Sequence, residues 1–164
     1  ADPGLGGKLT SEFLGTFILV LTVGLNVLAR SPAAAFSIAA SLMCMIYALG
    51  DVSGAHFNPA VTLAIGLCGR EKISPTEMAQ YMAAQVGGGF LAATTYSLIY
   101  SGQTFPLGPV GDFGWGEAGA AEIIFTFVLC YVVLCVAISE KTSAPEFFGL
   151  AIGSRGPGGG VPPR

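Results

Sequence analysis

Between two long apolar stretches this chain places a short one, which opens at Asn58-Pro59-Ala60 and stays free of charge only as far as Gly69. Asn is a favoured helix N-cap, and Pro is favoured at the first helical position, where its missing N–H leaves nothing unpaired. A helix begun at Asn58 is therefore short. At about 1.5 Å per residue it reaches roughly half-way through a 30 Å hydrocarbon core. A half-helix whose positive end sits at membrane mid-depth serves a pore or a binding site, and rarely packing alone.

The composition tells which solvent surrounds that segment. Of 164 residues, 52% are hydrophobic and only 10% charged, where a soluble domain carries roughly a quarter charged residues. Too few water-compatible side chains remain to cover a globular surface, so the expected surroundings are a lipid bilayer. The net charge of -3 is small, and without a basic patch no nucleic-acid partner is expected. Cys44, Cys68, Cys130 and Cys135 lie in apolar stretches without zinc-type or redox-type spacing, and read as small buried hydrophobes. There is one histidine, so no His-cluster metal site is expected. With no nucleophile–base pair either, neither an enzyme nor a cofactor is expected.

Four stretches approach the ~20 apolar residues a spanning helix needs: about Leu9 to Ala29, Ser31 to Gly50, Met78 to Tyr100 and Ala118 to Ser139. With the N-terminus in the cytoplasm, Lys8, Arg70, Lys72 and Lys141 fall inside, and before the tail only Arg30 falls outside. The positive-inside rule favours that orientation. The third stretch is crowded with small residues, among them Ala84, Gly87, Gly88, Gly89 and Ala92, which suit a tight helix–helix seam.

The chain also repeats itself. Glu12-Phe13-Leu14-Gly15-Thr16-Phe17 has a counterpart about 110 positions on in Glu122-Ile123-Ile124-Phe125-Thr126-Phe127. A fainter echo pairs Phe36-Ser37-Ile38-Ala39-Ala40 with Phe148-Gly149-Leu150-Ala151-Ile152. Three spans precede the second copy, so it enters from the opposite face, as in inverted-repeat transport proteins. The offset places a second Asn-Pro-Ala at about 168 to 170, past Arg164. A fifth span starts at Phe147 and stops after Gly153, where a Gly/Pro-rich tail without apolar period takes over. That tail reads as a shifted frame or a retained intron, or as an unstructured end. The start at Ala1, with no charged n-region or cleavage site, reads as a partial chain and not as a signal peptide. Three segments are expected: an N-terminal cytoplasmic segment over 1–8, a partial transmembrane domain over 9–153, and a dissimilar tail over 154–164.

The decapeptide Ser53-Gly54-Ala55-His56-Phe57-Asn58-Pro59-Ala60-Val61-Thr62 resembles the first signature of the aquaporin (major intrinsic protein) family. The resemblance implies an all-α membrane protein: an aquaporin-like inverted-repeat bundle, truncated to four spans, one re-entrant half-helix and the start of a fifth span. It implies that Asn58, Pro59 and Ala60 form the tip of the half-helix in the pore. Gly54, Ala55 and His56 would supply a ladder of backbone carbonyls. Glu12 and Glu122 would be buried acids that hold the loop before each half-helix; the alternative for each is a surface carboxylate near a helix N-terminus. Ile38 falls where family members narrow the pore, and its apolar side chain hints at water plus small uncharged solutes. His56 reads either as a packing histidine or as a pH-sensitive gate.

The expected activity is a passive channel for water and small uncharged solutes such as glycerol, in a homo-oligomer that the family implies to be a tetramer. The alternative is a non-conducting subunit that packs with full-length channel protomers. The chain as written is expected not to conduct, because one half-helix leaves a pore wall missing and a polar loop unsupported in lipid.

Overall fold

The computed structural model describes residues 3–70, 73–109 and 111–138. They form five α-helices: α1 Gly4–Leu28, α2 Ala34–Ser53, α3 Pro59–Leu67, α4 Pro75–Ile99 and α5 Trp115–Val133, the last running into a π-helical turn Leu134–Ile138. Large apolar side chains such as Phe36, Phe90, Leu98, Phe125 and Phe127 point outward, as a lipid-facing surface requires.

Direction and depth follow from which residues meet. Lys8 pairs with Glu77, Glu12 with Gln85, and Gly24 abuts Tyr96, so α1 and α4 run parallel in one continuous register. Gly88 lets their backbones approach closely, since a Cβ there would strike the Phe13 carbonyl oxygen. Asn26 binds Ser37, Thr22 pairs with Ser41, and Ser11 with Ser53, so α2 returns antiparallel to α1. It stops at the level of Glu12, about 12 Å from the start of α1.

The 9 residues of α3 do not cross. Thr62 meets Gln85, ten residues into α4, whereas Gly66 meets Met78 near its start. The half-helix thus begins about 15 Å along α4 and runs back toward the face where α1 and α4 start. Its outer flank, Val61 and Ile65, packs against Leu129, Cys130, Val133 and Leu134 at the far end of α5. Pro75 opens α4 at its first turn, with the Ser74 hydroxyl accepting from Glu77 N at 3.2 Å.

Several sequence expectations change here. Among the described residues three helices are long and apolar enough to cross a membrane: Gly4–Leu28, Ala34–Ser53 and Trp115–Val136. At 25 residues α4 matches α1 in length, but Gln80, Gln85 and three successive glycines dilute its apolarity, since its inward face serves α1 and α3. Helix α1 starts at Gly4. The cysteines are not buried: Cys44 is exposed and Cys68, Cys130 and Cys135 are half-buried, with no disulfide among the described residues. The fifth span at Phe147, Lys141, Lys72 and the tail lie outside the described residues.

Candidate functional site

The loop between α2 and α3 is short, polar and strained. Gly54 ends α2 in the left-handed region at φ 89°, and its N–H reaches the Gly50 carbonyl at 2.9 Å. Ala55 and Phe57 also have positive φ, 52° and 49°, a conformation that non-glycine residues keep only where surrounding groups enforce it.

Glu12 enforces it. This carboxylate is wholly buried and accepts four hydrogen bonds. Ser53 Oγ at 2.6 Å and His56 N at 3.0 Å donate to Oε1. Phe57 N at 2.7 Å and Gln85 Nε2 at 2.8 Å donate to Oε2. Four donors match the roughly four lone-pair sites a carboxylate offers, and charge-assisted bonds are the strong ones. Ser53 in turn accepts from Ala55 N at 3.1 Å and pairs with Ser11 Oγ at 2.9 Å, while Tyr81 donates its hydroxyl to the Ser53 carbonyl at 2.9 Å. The Phe57 ring fills the space that Gly15 leaves open on α1.

Asn58 sits at the entry to α3 with extended backbone, φ -153° and ψ 127°. Its Oδ1 accepts from Ala60 N at 2.8 Å, so the amide oxygen faces the helix and the Nδ2 donors face away from it. Pro59 occupies the first helical position, and the Asn58 carbonyl accepts from Thr62 N at 3.0 Å. Among the described residues no backbone N–H bonds the carbonyls of Gly54, Ala55 or His56. The His56 ring stands edge-on to Tyr81 at 5.2 Å and its Nδ1 lies 3.1 Å from Thr62 Oγ1.

The sequence-derived candidates therefore divide. Glu12, Gly54, Ala55, His56, Asn58, Pro59 and Ala60 converge on one loop. Ile38 does not join them: it is half-buried on α2, about 22 Å along the helix from Ser53. Glu122 is exposed on α5 among the described residues. Helix α5 touches α3 only near its C-terminal end, so none of the described residues covers Glu122. Sequence reading overlooked Ser11, Thr62, Tyr81 and Gln85 as loop supports. A usable signal existed for Gln85, because a polar amide inside a spanning helix belongs on an interior face.

This geometry defines a class: a multi-pass helical membrane protein with a half-length helix whose amide-capped N-terminal end meets α4 about ten residues from that helix's start. The family model described as Major intrinsic protein matches residues 3–155. Among curated proteins the chain is similar to aquaporin NIP1-1 of Arabidopsis thaliana, 36% identical over 90% of this chain and 54% of the relative. It is also similar to aquaporin Z of Photorhabdus laumondii, 33% identical over 89% of this chain and 71% of that protein, and to the probable aquaporin AqpM of Archaeoglobus fulgidus, 32% identical over 91% and 72%. The chain belongs to the major intrinsic protein family. It spans about half the length of the plant relatives it matches.

Proposed function

We propose that this chain supplies one wall of a passive channel for water and small uncharged solutes such as glycerol, with Asn58 donating hydrogen bonds to the permeant. One observation carries the reading: the Asn58 oxygen is held by Ala60 N, which leaves both Nδ2 protons for a solute oxygen. The positive end of α3 adds a potential that favours oxygen acceptors and opposes cations. The carbonyls of Gly54, Ala55 and His56, which no backbone N–H among the described residues bonds, offer acceptors beside that donor, so a neutral molecule that both donates and accepts passes with its hydration replaced. In this reading the N-terminus is cytoplasmic, Glu12 holds the loop from behind, and Ile38 widens the path farther along α2.

A conducting path needs a second wall. A hybrid in which residues 9–138 replace the matching segment of aquaporin Z tests the proposal by stopped-flow swelling of proteoliposomes. The hybrid is expected to swell faster than lipid alone, and Asn58→Ala in it to lose most of that gain, while the 164-residue chain by itself stays at the lipid rate. A correctly folded hybrid that swells no faster than lipid overturns the channel reading. It would favour instead a non-conducting subunit, a role suggested by the outward apolar faces of α4 and α5, including Phe90, Leu98, Phe125 and Phe127.

A further inference from the structure

We infer that Glu12, Gln85 and Thr62 form a proton-ordering relay that fixes His56 as the Nε2–H tautomer, so that its ring offers a second N–H donor beside Asn58. The direction of every bond in the relay follows from the donor inventory. The Glu12 carboxylate only accepts, so the Gln85 group 2.8 Å from Oε2 is its NH2. The second proton of that NH2 points to Thr62 Oγ1 at 2.9 Å. The Thr62 oxygen thus accepts from Gln85, and its own proton needs an acceptor. Thr62 is fully buried, and among the described residues the acceptor in reach of its hydroxyl is His56 Nδ1 at 3.1 Å. The opposite arrangement, with Nδ1–H donating to Thr62, would strand a buried hydroxyl proton, and an unmet buried donor carries the full desolvation penalty. Nδ1 is therefore unprotonated and the neutral ring carries its proton on Nε2.

That nitrogen lies on the far side of the ring from Thr62. No group among the described residues accepts from it, and the ring is only half-buried. A Cβ at residue 54 would come within 3.4 Å of Nε2, so glycine there keeps this edge of the ring open. His56 then presents a donor from its ring and an acceptor from its main chain at the same level of the loop. Thr62 and Gln85 are positioning residues that act through His56. That the donor meets a permeant rests on the proposed channel function, whereas the tautomer itself does not.

Histidine-selective 15N labelling reports on this directly, because the sequence holds a single His. In the 164-residue chain in lipid nanodiscs, the Nδ1 resonance is expected in the unprotonated range and Nε2 in the protonated range, with one tautomer populated. Thr62→Ser, which keeps the hydroxyl, preserves that spectrum. Thr62→Val, and independently Gln85→Met, shift it to a mixture of both tautomers. A protonated Nδ1 in the unaltered chain overturns the relay. So does a spectrum unchanged in whichever of Thr62→Val and Gln85→Met retains its helical circular dichroism. None of these readouts measures permeation, so a hybrid that fails to swell leaves them intact and rejects the channel reading alone.

Discussion

Glu12 and Glu122 begin the same hexapeptide pattern on two helices, yet they live in opposite surroundings. Glu12 is wholly buried with four donors around it, whereas Glu122 stands exposed on α5. The difference lies not in the helices that carry the two acids but in what arrives to meet them. The loop 53–57 brings two backbone N–H groups and a hydroxyl to Glu12, and α4 adds the Gln85 amide. A buried carboxylate is tolerated only when its hydration is replaced by fixed donors. The repeated motif thus prepares a site, and the loop completes it.

Exchanging the two acids should separate these surroundings most sharply. Glu12→Ala leaves four buried donors without their acceptor and is expected to lower stability by about 3–5 kcal/mol. Glu122→Ala should stay within about 0.5 kcal/mol, as a surface change does. Unfolding of the purified protein in detergent, followed by circular dichroism, reads both, and equal losses would break the comparison.

Glycines in the two regions should differ in sign. Gly88→Val forces a side chain into the Phe13 carbonyl and is expected to cost about 1–3 kcal/mol through overpacking. On α5, a Cβ at Gly119 would meet nothing within 4 Å, so Gly119→Ala should stabilise by up to about 1 kcal/mol through helix propensity. The same unfolding assay sharpens the contrast, and a loss at Gly119 would mean that α5 is packed there after all.

The smallest effect belongs to the rim. Lys8 and Glu77 pair at 3.0 Å with side chains 34% and 23% exposed. Lys8→Ala should cost less than about 1 kcal/mol, and the difference should shrink as salt is raised from 0.05 to about 0.5 M. A larger, salt-independent loss would show that the pair belongs with the Glu12 network and not with the surface.

Much of the architecture was legible in the order of residues. Apolar runs of spanning length located α1, α2 and α5, since only an all-round apolar helix is compatible with lipid. Asn58-Pro59 marked the start of α3, because an N-cap followed by proline is a local chemical fact that needs no neighbours. The glycines of α4 announced a close seam. What stayed illegible were the partners of that seam and of the loop. Tyr81 reads as an ordinary segment residue until the chain folds back on itself, and Ser53 and Thr62 drew notice only as the first and last letters of a motif.

By itself, then, the amino-acid order determined the solvent and the place where one helix breaks off half-way, because those depend on hydropathy and backbone chemistry within a few residues. The tertiary structure decided which donors enclose Glu12 and which cysteines are exposed among the described residues. It also decided how a threonine and a glutamine order the protons of a histidine. The enclosure of Glu12 and the hold on Thr62 depend on donors that lie 23 to 73 positions away in the chain, and a hydrogen bond acts only across the few ångströms that folding closes.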